Sequence, residues 1–181
     1  MPPMKLIFKD GNVLEPEETG NLLLVHCCNN IGAFGSGIAG AIAKKWPHVR
    51  KSYIAWCNDD QTNSYETHRQ ARLGEIQVVK ISGDYKQEDG LAVVNLIGQQ
   101  DVGPGIYGME PIRYEAIKEG LYKIKELITT KLKKWPTNIV MPRMGCSLAM
   151  GKWSNIEKII YEVFEDIDVN ITVYTFGPFN P

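Results

Sequence analysis

The chain has 181 residues, of which 44% are apolar and 23% are charged, and its formal net charge is -1. This is enough chain to bury a core without disulfides or a structural metal, so we expect one globular domain over residues 1–181. The balanced charge argues against a dedicated nucleic-acid surface, and the six lysines between residues 118 and 134 are typical of a solvated helix face.

The first half of the chain predicts two strands, two helices and two further strands, in that order. Short apolar runs predict the strands, and apolar residues at three- and four-residue spacing predict the helices. Pro47 separates the two helices, and a polar loop runs from the second one to about Arg69. The predicted strands span 5–8, 22–27, 75–81 and 91–97, and the predicted helices span 38–46 and 47 to about 58–60.

The second half predicts two helices that alternate with two strands. Apolar residues recur at three- and four-residue steps from Tyr114 to Leu132, which is typical of a long amphipathic helix packed on a sheet. A strand over 138–141 follows, and Ser154 with Glu157 has the spacing of a capping box that opens another helix. The last predicted strand spans 171–176.

This alternation of strands and helices predicts an α/β fold whose central sheet is covered on both faces. In such folds ligands bind where the loops gather, at the carboxyl ends of the strands. The rule brings together three glycine-containing loops, over 29–37, 99–109 and 143–151.

The loop over 29–37 lies between a strand and a helix and suits an anion. Gly32, Gly35 and Gly37 allow close approach of the backbone, and the helix that follows at Ile38 offers unpaired N–H groups. Their GxxGxG spacing differs from the dinucleotide fingerprint, and no Gly-Lys-Ser/Thr completes a P-loop. Taken alone, the motif fits a phosphate site and an ordinary tight turn about equally.

The loop over 143–151 supplies a second glycine turn before a helix, so the two turns together suit a diphosphate. Cations occur only at the edge of these two loops, at Arg143 and Lys152. Phosphoryl transfer with magnesium normally uses a lysine and an acidic metal ligand, so we expect backbone recognition of a soluble nucleotide diphosphate, with no metal and no cofactor.

Four segments together resemble the macro domain, a fold that binds ADP-ribose: HCCNNIGAFGSGIAGAIAKKWP, VVNLIGQQDVGPGIYG, IVMPRMGCSLAMGKW and ITVYTF. The likeness runs from about Lys5 to Phe176 and implies a three-layer α/β/α fold with a mixed central sheet. It is nearest to the ADP-ribose 1''-phosphate phosphatases, with their phage and bacterial relatives. The MPRxGC segment is shared with the terminal ADP-ribose protein glycohydrolases.

The resemblance also implies which residues contact the ligand. The family has Gly-Asp-Ile where this chain has Gly-Asn-Val, so Asn12 would accept from the adenine amino group without the usual charge. Asn29 would contact the distal ribose. Phe176 would pack on adenine, although an aromatic residue there also fits a core position. The two phosphates would lie against Gly35, Ser36, Gly37 and Ile38, and against Gly145, Cys146, Ser147, Leu148, Ala149, Met150 and Gly151, with Val13 at the adenine ring.

The chain differs from the glycohydrolase branch at the positions of that branch's catalytic residues. Catalysis there is attributed to a lysine in the segment matching NLIGQQ and to an aspartate in the segment matching GCSLA. This chain has Gln99 and Gln100 at the first position and Ala149 at the second. It therefore lacks both the amine that would attack the sugar and the carboxylate that would move the proton.

Three residue types offer other chemistry. His26, which ends a predicted strand, matches a histidine of the phosphatase-like group and could activate water together with Asn29; the alternative is a buried, hydrogen-bonded histidine. Tyr107 could be a lid or a proton donor, or a plain surface aromatic. Cys146 could be a nucleophile, but the arginine of cysteine phosphatases is replaced by Lys152, which favours a packed thiol.

These observations predict a metal-independent hydrolase that converts ADP-ribose 1''-phosphate to ADP-ribose and phosphate. The alternatives are a non-catalytic reader of ADP-ribose, free or linked to protein, and a mono-ADP-ribosyl hydrolase in which the substrate assists the attack of water. The four cysteines lack the spacing of metal ligands, which predicts reduced thiols. We see no leader segment and no long apolar run, so we expect a cytoplasmic protein without membrane contact. We expect a monomer.

Overall fold

The computed structural model describes residues 3–58, 72–102, 108–146 and 149–181. Within them lie six β-strands and four α-helices. The strands are β1 (Lys5–Asp10), β2 (Asn21–Asn29), β3 (Ile76–Ser82), β4 (Leu91–Gln99), β5 (Thr137–Pro142) and β6 (Asn170–Thr175). The helices are α1 (Gly37–Lys45), α2 (Pro47–Asn58), α3 (Tyr114–Thr129) and α4 (Trp153–Phe164).

All six strands belong to one sheet, in the order β1-β6-β5-β2-β4-β3. Neighbouring strands run parallel except β3, which pairs antiparallel with β4 at one end of the sheet. Strand β2 is central, and its side chains alternate between the two faces of the sheet. Val25 packs in the core with α3 and α4, whereas Leu24 packs in the core with α1 and α2. The predicted three-layer α/β/α fold with a mixed sheet is confirmed.

The predicted capping box at the start of α4 is wrong. Ser154 is the second residue of the helix, and the N-cap position belongs to Lys152, which makes no side-chain capping bond. The N–H groups of Trp153 and Ser154 instead donate to the carbonyl oxygens of Asn180 and Pro181, each at 2.9 Å. Trp153 is buried, so its packing starts the helix two residues earlier than a cap at Ser154 would indicate.

The lysines of α3 lie on the ion-paired outer face of the helix. Lys118 is 2.6 Å from a carboxylate oxygen of Glu162, and Lys125 is 2.7 Å from one of Asp166. Partners on α4 and just beyond it therefore neutralise this face, as expected of a solvated helix surface. In the part of the chain that the structure describes, no helix has the length and apolar character needed to span a membrane.

The carboxyl ends of five parallel strands meet at one edge of the sheet, in the order β1, β6, β5, β2, β4. With about 4.8 Å between neighbouring strands, this edge is about 19 Å long from β1 to β4. The chain leaves β2 toward α1 on one face and leaves β4 and β5 toward α3 and α4 on the other. Such a change of face opens a crevice beside β2, which is where ligands bind in open α/β sheets.

Candidate functional site

The candidate site residues are distributed along this edge in a fixed order. Asn12 and Val13 follow β1, and Phe176 follows β6. A hydrogen bond joins the ends of these two strands, because the Gly11 N–H donates to the Thr175 carbonyl oxygen at 3.0 Å. The loop over 143–151 follows β5, the loop over 29–37 follows β2, and the loop from 100 to 113 follows β4. Ser147, Leu148 and Tyr107 lie outside the described residues.

Asn29 organises the loop after β2 from within. Its side-chain oxygen accepts from the N–H groups of Ile31 at 3.0 Å and Ala33 at 3.1 Å, and its amide donates to the Ala33 carbonyl oxygen at 2.6 Å. The hydroxyl of Tyr53 lies 2.8 Å from the same side-chain oxygen and 2.5 Å from the Asn29 carbonyl oxygen. Asn29 is buried and engaged at both ends of its amide, so in this structure it holds the loop.

Phe34 anchors the same loop to the core. Its ring is buried, packs edge-on against His26 with 5.6 Å between ring centroids, and lies 4.9 Å from the ring of Tyr53. Its carbonyl oxygen accepts from Arg50 at 3.3 Å. Phe34 and Tyr53 are not among the site residues predicted from the sequence. The available signal was an aromatic residue among glycines, which a flexible surface loop rarely needs.

The start of α1 is open to an anion. Ser36 occupies the N-cap position without a side-chain capping bond, and no acidic residue lies in the first turn. Gly35 is exposed, and a Cβ built on it meets no atom within 4 Å, so its backbone faces open space. Gly37 adopts φ +57°, which favours glycine. The helix dipole and the uncapped N–H groups of the first turn are the elements of an anion site.

Two glycines of the loop after β5, Gly145 and Gly151, pack closely against each other. A Cβ on Gly151 would lie 2.5 Å from the Gly145 carbonyl oxygen, which accepts from the Gly151 N–H at 2.7 Å. Gly145 itself has φ +75°, and Met150 has φ +66°, a strained value for a residue other than glycine. The Ala149 carbonyl oxygen accepts from the Ile112 N–H at 3.1 Å, which ties this loop to the loop after β4.

Cys146 is a packed thiol in this structure. It is 1% exposed, its Sγ donates to the Met144 carbonyl oxygen at 3.4 Å, and burial raises its pKa to about 12. Its N–H donates to the Arg143 carbonyl oxygen at 3.3 Å and is therefore used within the turn. The thiol is neutral at physiological pH, which excludes it as a ready nucleophile. All four cysteines are free.

Arg143 is enclosed by aromatic rings. Its guanidinium carbon lies 4.2 to 4.8 Å from the ring centroids of Phe8, Trp153 and Phe179, and its Nε donates to the Thr175 hydroxyl at 3.0 Å. Burial lowers the pKa of Arg143. Arg143, the cation at the edge of the loop over 143–151, is thus held among aromatic rings near β1 and β6.

The structure does not bring His26 to the crevice. The side chain is fully buried between β2 and the layer of α1 and α2, and its Nε2 lies 2.5 Å from the Asn95 side-chain oxygen. Asn95 in turn donates to Gln77, which donates to the Ser52 carbonyl oxygen of α2. The sequence left two alternatives for His26, a residue that activates water and a buried, hydrogen-bonded histidine. The structure shows the second. Burial lowers its pKa from 6.5 to about 4.

The lowered pKa of His26 predicts acid sensitivity of the fold. The unfolded chain binds a proton at about pH 6.5 but the native state only at about pH 4, so stability is full above pH 6.5 and falls as the pH drops toward 4. We expect His26 to account for about 2.5 kcal/mol of lost stability between pH 7.5 and 4.5. Urea unfolding of wild type and His26→Gln at both pH values measures this, with His48→Gln as control. Equal pH dependence in wild type and His26→Gln would contradict it.

The loop after β4 uses its glutamines for its own structure. Gln99 donates to the Asp101 carbonyl oxygen at 2.9 Å, and the side-chain oxygen of Gln100 accepts from Arg113 at 3.2 Å. Arg113 also donates to the carbonyl oxygens of residues 110, 111 and 112. Asn30 accepts from the Asp101 N–H at 2.8 Å, so this loop and the loop after β2 are joined beside Asn29.

At the β1 and β6 end of the sheet edge, a buried apolar residue lies near an exposed aromatic ring. Val13 is 3% exposed, and the Asn12 side-chain oxygen accepts from the Leu14 N–H at 2.9 Å. That amide oxygen retains a second lone pair for another donor. Phe176 is 83% exposed, so it is not a core residue. Among the described residues, no group of three or more His, Cys, Asp or Glu side chains is arranged to hold a metal ion.

Known proteins resemble this chain over most of its length. No protein-family model matches it. The human protein named ADP-ribose glycohydrolase OARD1 is 30% identical over 171 residues, which cover 94% of this chain and 91% of that protein. The ADP-ribose 1''-phosphate phosphatase of Lodderomyces elongisporus is 22% identical over 154 residues, covering 84% and 87%. A solved macrodomain protein from Streptomyces coelicolor is 28% identical with a TM-score of 0.71, covering 96% and 100%.

Proposed function

Because this chain belongs to the macro domain family, we propose that it binds ADP-ribose along the carboxyl edge of its sheet and hydrolyses ADP-ribose 1''-phosphate to ADP-ribose and phosphate. The order of residues along that edge is the observation that carries the proposal. Adenine would lie by Asn12, Val13 and Phe176, the diphosphate between the two glycine turns, and the distal ribose by Asn29 and the loop after β4. The ligand has the same order of parts, and the edge of about 19 Å gives room for it.

The diphosphate subsite supports backbone recognition of the anion. The segment from Gly35 to Ile38, which leads into the uncapped first turn of α1, offers its N–H groups, and Gly145 and Gly151 belong to the loop after β5, the neighbour of β2 in the sheet. Asn29, Phe34 and Tyr53 fix the first of these turns before ligand arrives, so little ordering is needed on binding. We assign His26 to this supporting framework, because its ring packs against Phe34.

Phosphate release in EDTA tests the proposal. Pure protein is incubated with ADP-ribose 1''-phosphate, and inorganic phosphate is measured beside a calorimetric titration with ADP-ribose. We expect binding and metal-independent release. Binding without release would make the protein a reader of ADP-ribose, and absence of binding would overturn the proposal as a whole.

A second candidate function is the removal of ADP-ribose from modified proteins. The 30% identity to the human protein named a glycohydrolase favours it. The segments that would hold that branch's lysine and aspartate carry Gln99, Gln100 and Ala149, so water has to attack the sugar directly. Incubation with a mono-ADP-ribosylated protein should then release ADP-ribose without a borohydride-trapped adduct on the enzyme. An unchanged modified protein would remove this candidate.

The exposed ring of Phe176 predicts a loss of affinity without a loss of stability. Phe176→Ala should weaken ADP-ribose binding about 10-fold, because stacking of a base on an aromatic ring contributes about 1–3 kcal/mol. The melting temperature should not change, since the ring is 83% exposed. Tyr122→Ala, which removes an exposed ring from α3, is the matched control. Unchanged affinity in Phe176→Ala would exclude stacking at this end of the crevice.

A further inference from the structure

We propose that the base subsite at Asn12 and Val13 binds a 6-oxopurine, such as hypoxanthine, about as well as adenine. The inference rests on the proposed function and specifies its ligand class, which widens from ADP-ribose to purine nucleoside diphosphate sugars. It follows from the hydrogen-bond donors that the turn after β1 offers to a base.

The amide of Asn12 is held by its oxygen. The side-chain oxygen accepts from the Leu14 N–H at 2.9 Å, and only the oxygen of an amide can accept from such a donor. The amide nitrogen is therefore the end left for a ligand. Asn12 is exposed, and within the described residues this nitrogen has no hydrogen-bond partner. The side chain thus offers an N–H donor, which the aspartate that the family has at this position cannot supply.

Val13 supplies a second donor beside the first. The Asn12 carbonyl oxygen accepts from the Glu15 N–H at 3.0 Å, which closes a turn with Val13 at its second position. The N–H at the second position of such a turn is not used by the turn itself. Among the described residues, the Val13 N–H has no acceptor. Two N–H donors on adjacent residues are therefore available to a base.

Side chains from three elements fix the chain that follows this turn. The Tyr174 hydroxyl of β6 donates to the Glu18 carboxylate at 2.6 Å, and the Lys9 Nζ of β1 lies 3.2 Å from the other carboxylate oxygen. Lys45 of α1 donates to the Leu14 carbonyl oxygen at 2.6 Å. The two donors therefore belong to a segment that is held in place before a ligand arrives, so binding needs little ordering.

Both kinds of purine fit one placement on this turn. Every purine has an acceptor at N7, which suits the Val13 N–H, and the substituents at position 6 lie beside it. Adenine carries an amino donor there, and the second lone pair of the Asn12 oxygen can accept from it. Hypoxanthine, like guanine, carries a carbonyl acceptor, and the Asn12 amide nitrogen can donate to it. An aspartate has acceptors only and selects the amino group, so the amide of Asn12 removes that selection.

The exposed ring of Phe176 does not restore the selection. Stacking on an aromatic ring uses the face of a base, and it tolerates a change of base. The ring is 83% exposed, so its face can be reached by either purine. Discrimination between the two bases therefore depends on the edge contacts at Asn12 and Val13.

Titration of the wild-type protein with two ligands measures the selectivity. ADP-ribose and IDP-ribose, in which hypoxanthine replaces adenine, are compared by calorimetry. We expect the two dissociation constants to agree within about fivefold, because each base finds a partner at position 6. A larger preference for ADP-ribose would overturn the inference and leave the proposed function standing. If neither ligand binds, the proposed function fails and the inference fails with it.

Asn12→Asp isolates the amide nitrogen. The carboxylate keeps an acceptor for the Leu14 N–H, so the turn should keep its shape. It has no donor for the carbonyl oxygen at position 6 and repels it. Affinity for IDP-ribose should therefore fall about 10-fold or more, while affinity for ADP-ribose stays within about threefold of wild type. The ratio of the two affinities is the readout, because damage to the turn would lower both together.

Asn138→Asp is the matched control for this change. Asn138 likewise accepts from a backbone N–H, that of Asn170 at 3.0 Å, but it lies near the starts of β5 and β6. We expect this variant to keep the wild-type ratio of affinities. A ratio in Asn12→Asp that equals the wild-type ratio would overturn the role of Asn12 in base selection.

A 7-deaza base tests the contact with Val13 without a change to the protein. IDP and 7-deaza-IDP, which has a C–H group in place of the N7 acceptor, are titrated into the wild-type protein. We expect the deaza compound to bind about fivefold more weakly, which is the usual effect of one lost hydrogen bond. Equal affinities would show that the Val13 N–H does not bind N7, and they would overturn the proposed placement of the base.

Discussion

Replacement of Gly35 by glutamate should abolish binding of ADP-ribose and leave the fold intact. Gly35 is exposed, and a Cβ there meets no atom within 4 Å, so a side chain can start from this position without displacing protein. Its carboxylate would stand before the uncapped N-terminus of α1, where the diphosphate is proposed to lie, and would repel it. We expect at least a 100-fold loss of affinity, about 2.7 kcal/mol, by calorimetry.

Gly35→Ala is the matched control for this change. It adds a methyl group to the same open space without charge, so affinity should fall only a few-fold. Both variants should melt within about 2 °C of wild type, because the residue is exposed and its added Cβ meets no neighbouring atom. Wild-type affinity in Gly35→Glu would show that the anion does not bind at the start of α1.

Asn29→Ala should cost both stability and binding. The alanine removes the acceptor for the N–H groups of Ile31 and Ala33 and for the Tyr53 hydroxyl, and the donor to the Ala33 carbonyl oxygen. At about 1 kcal/mol for each lost bond, we expect the free energy of unfolding to fall by about 2–4 kcal/mol. The loop that carries Gly35 to Ile38 then loses its fixed shape, and affinity for ADP-ribose should fall by more than 10-fold.

Asn138→Ala controls for the loss of a structural asparagine. Asn138 accepts from the Asn170 N–H at 3.0 Å near the starts of β5 and β6, at the other end of the sheet. That change should cost about 1 kcal/mol and leave binding unchanged. Full stability in Asn29→Ala, measured by urea unfolding, would show that these bonds contribute little to the loop.

The sequence predicts the elements and their packing because local patterns determine them. Apolar runs mark the strands, and the three- and four-residue spacing marks α1, α2 and α3; all begin within about two residues of their predicted starts. The start of α4 is different, because it depends on burial of Trp153 and on carbonyl groups supplied by Asn180 and Pro181. A capping pattern within four residues contains no information about a distant chain segment.

The side chains of the site are harder to predict, because their direction depends on tertiary contacts. His26 follows an apolar run at the end of a strand, but the ring of Phe34, from the loop after β2, packs against it, and Tyr53 of α2 packs against Phe34 in turn. Asn29 turns inward to bind its own loop. The bond between the Asp101 N–H and Asn30 joins two crevice loops that are 71 positions apart in the chain, which no local pattern predicts. The exposed Phe176, by contrast, fits the position that the family resemblance implies.

A crystal structure of the protein with ADP-ribose tests the central claim most directly. We expect adenine beside Phe176 and Val13, the diphosphate between Gly35–Ile38 and the turn at Gly145–Gly151, and the distal ribose beside Asn29. A ligand bound away from the carboxyl edge of the sheet, or in the reverse order along it, would contradict the account.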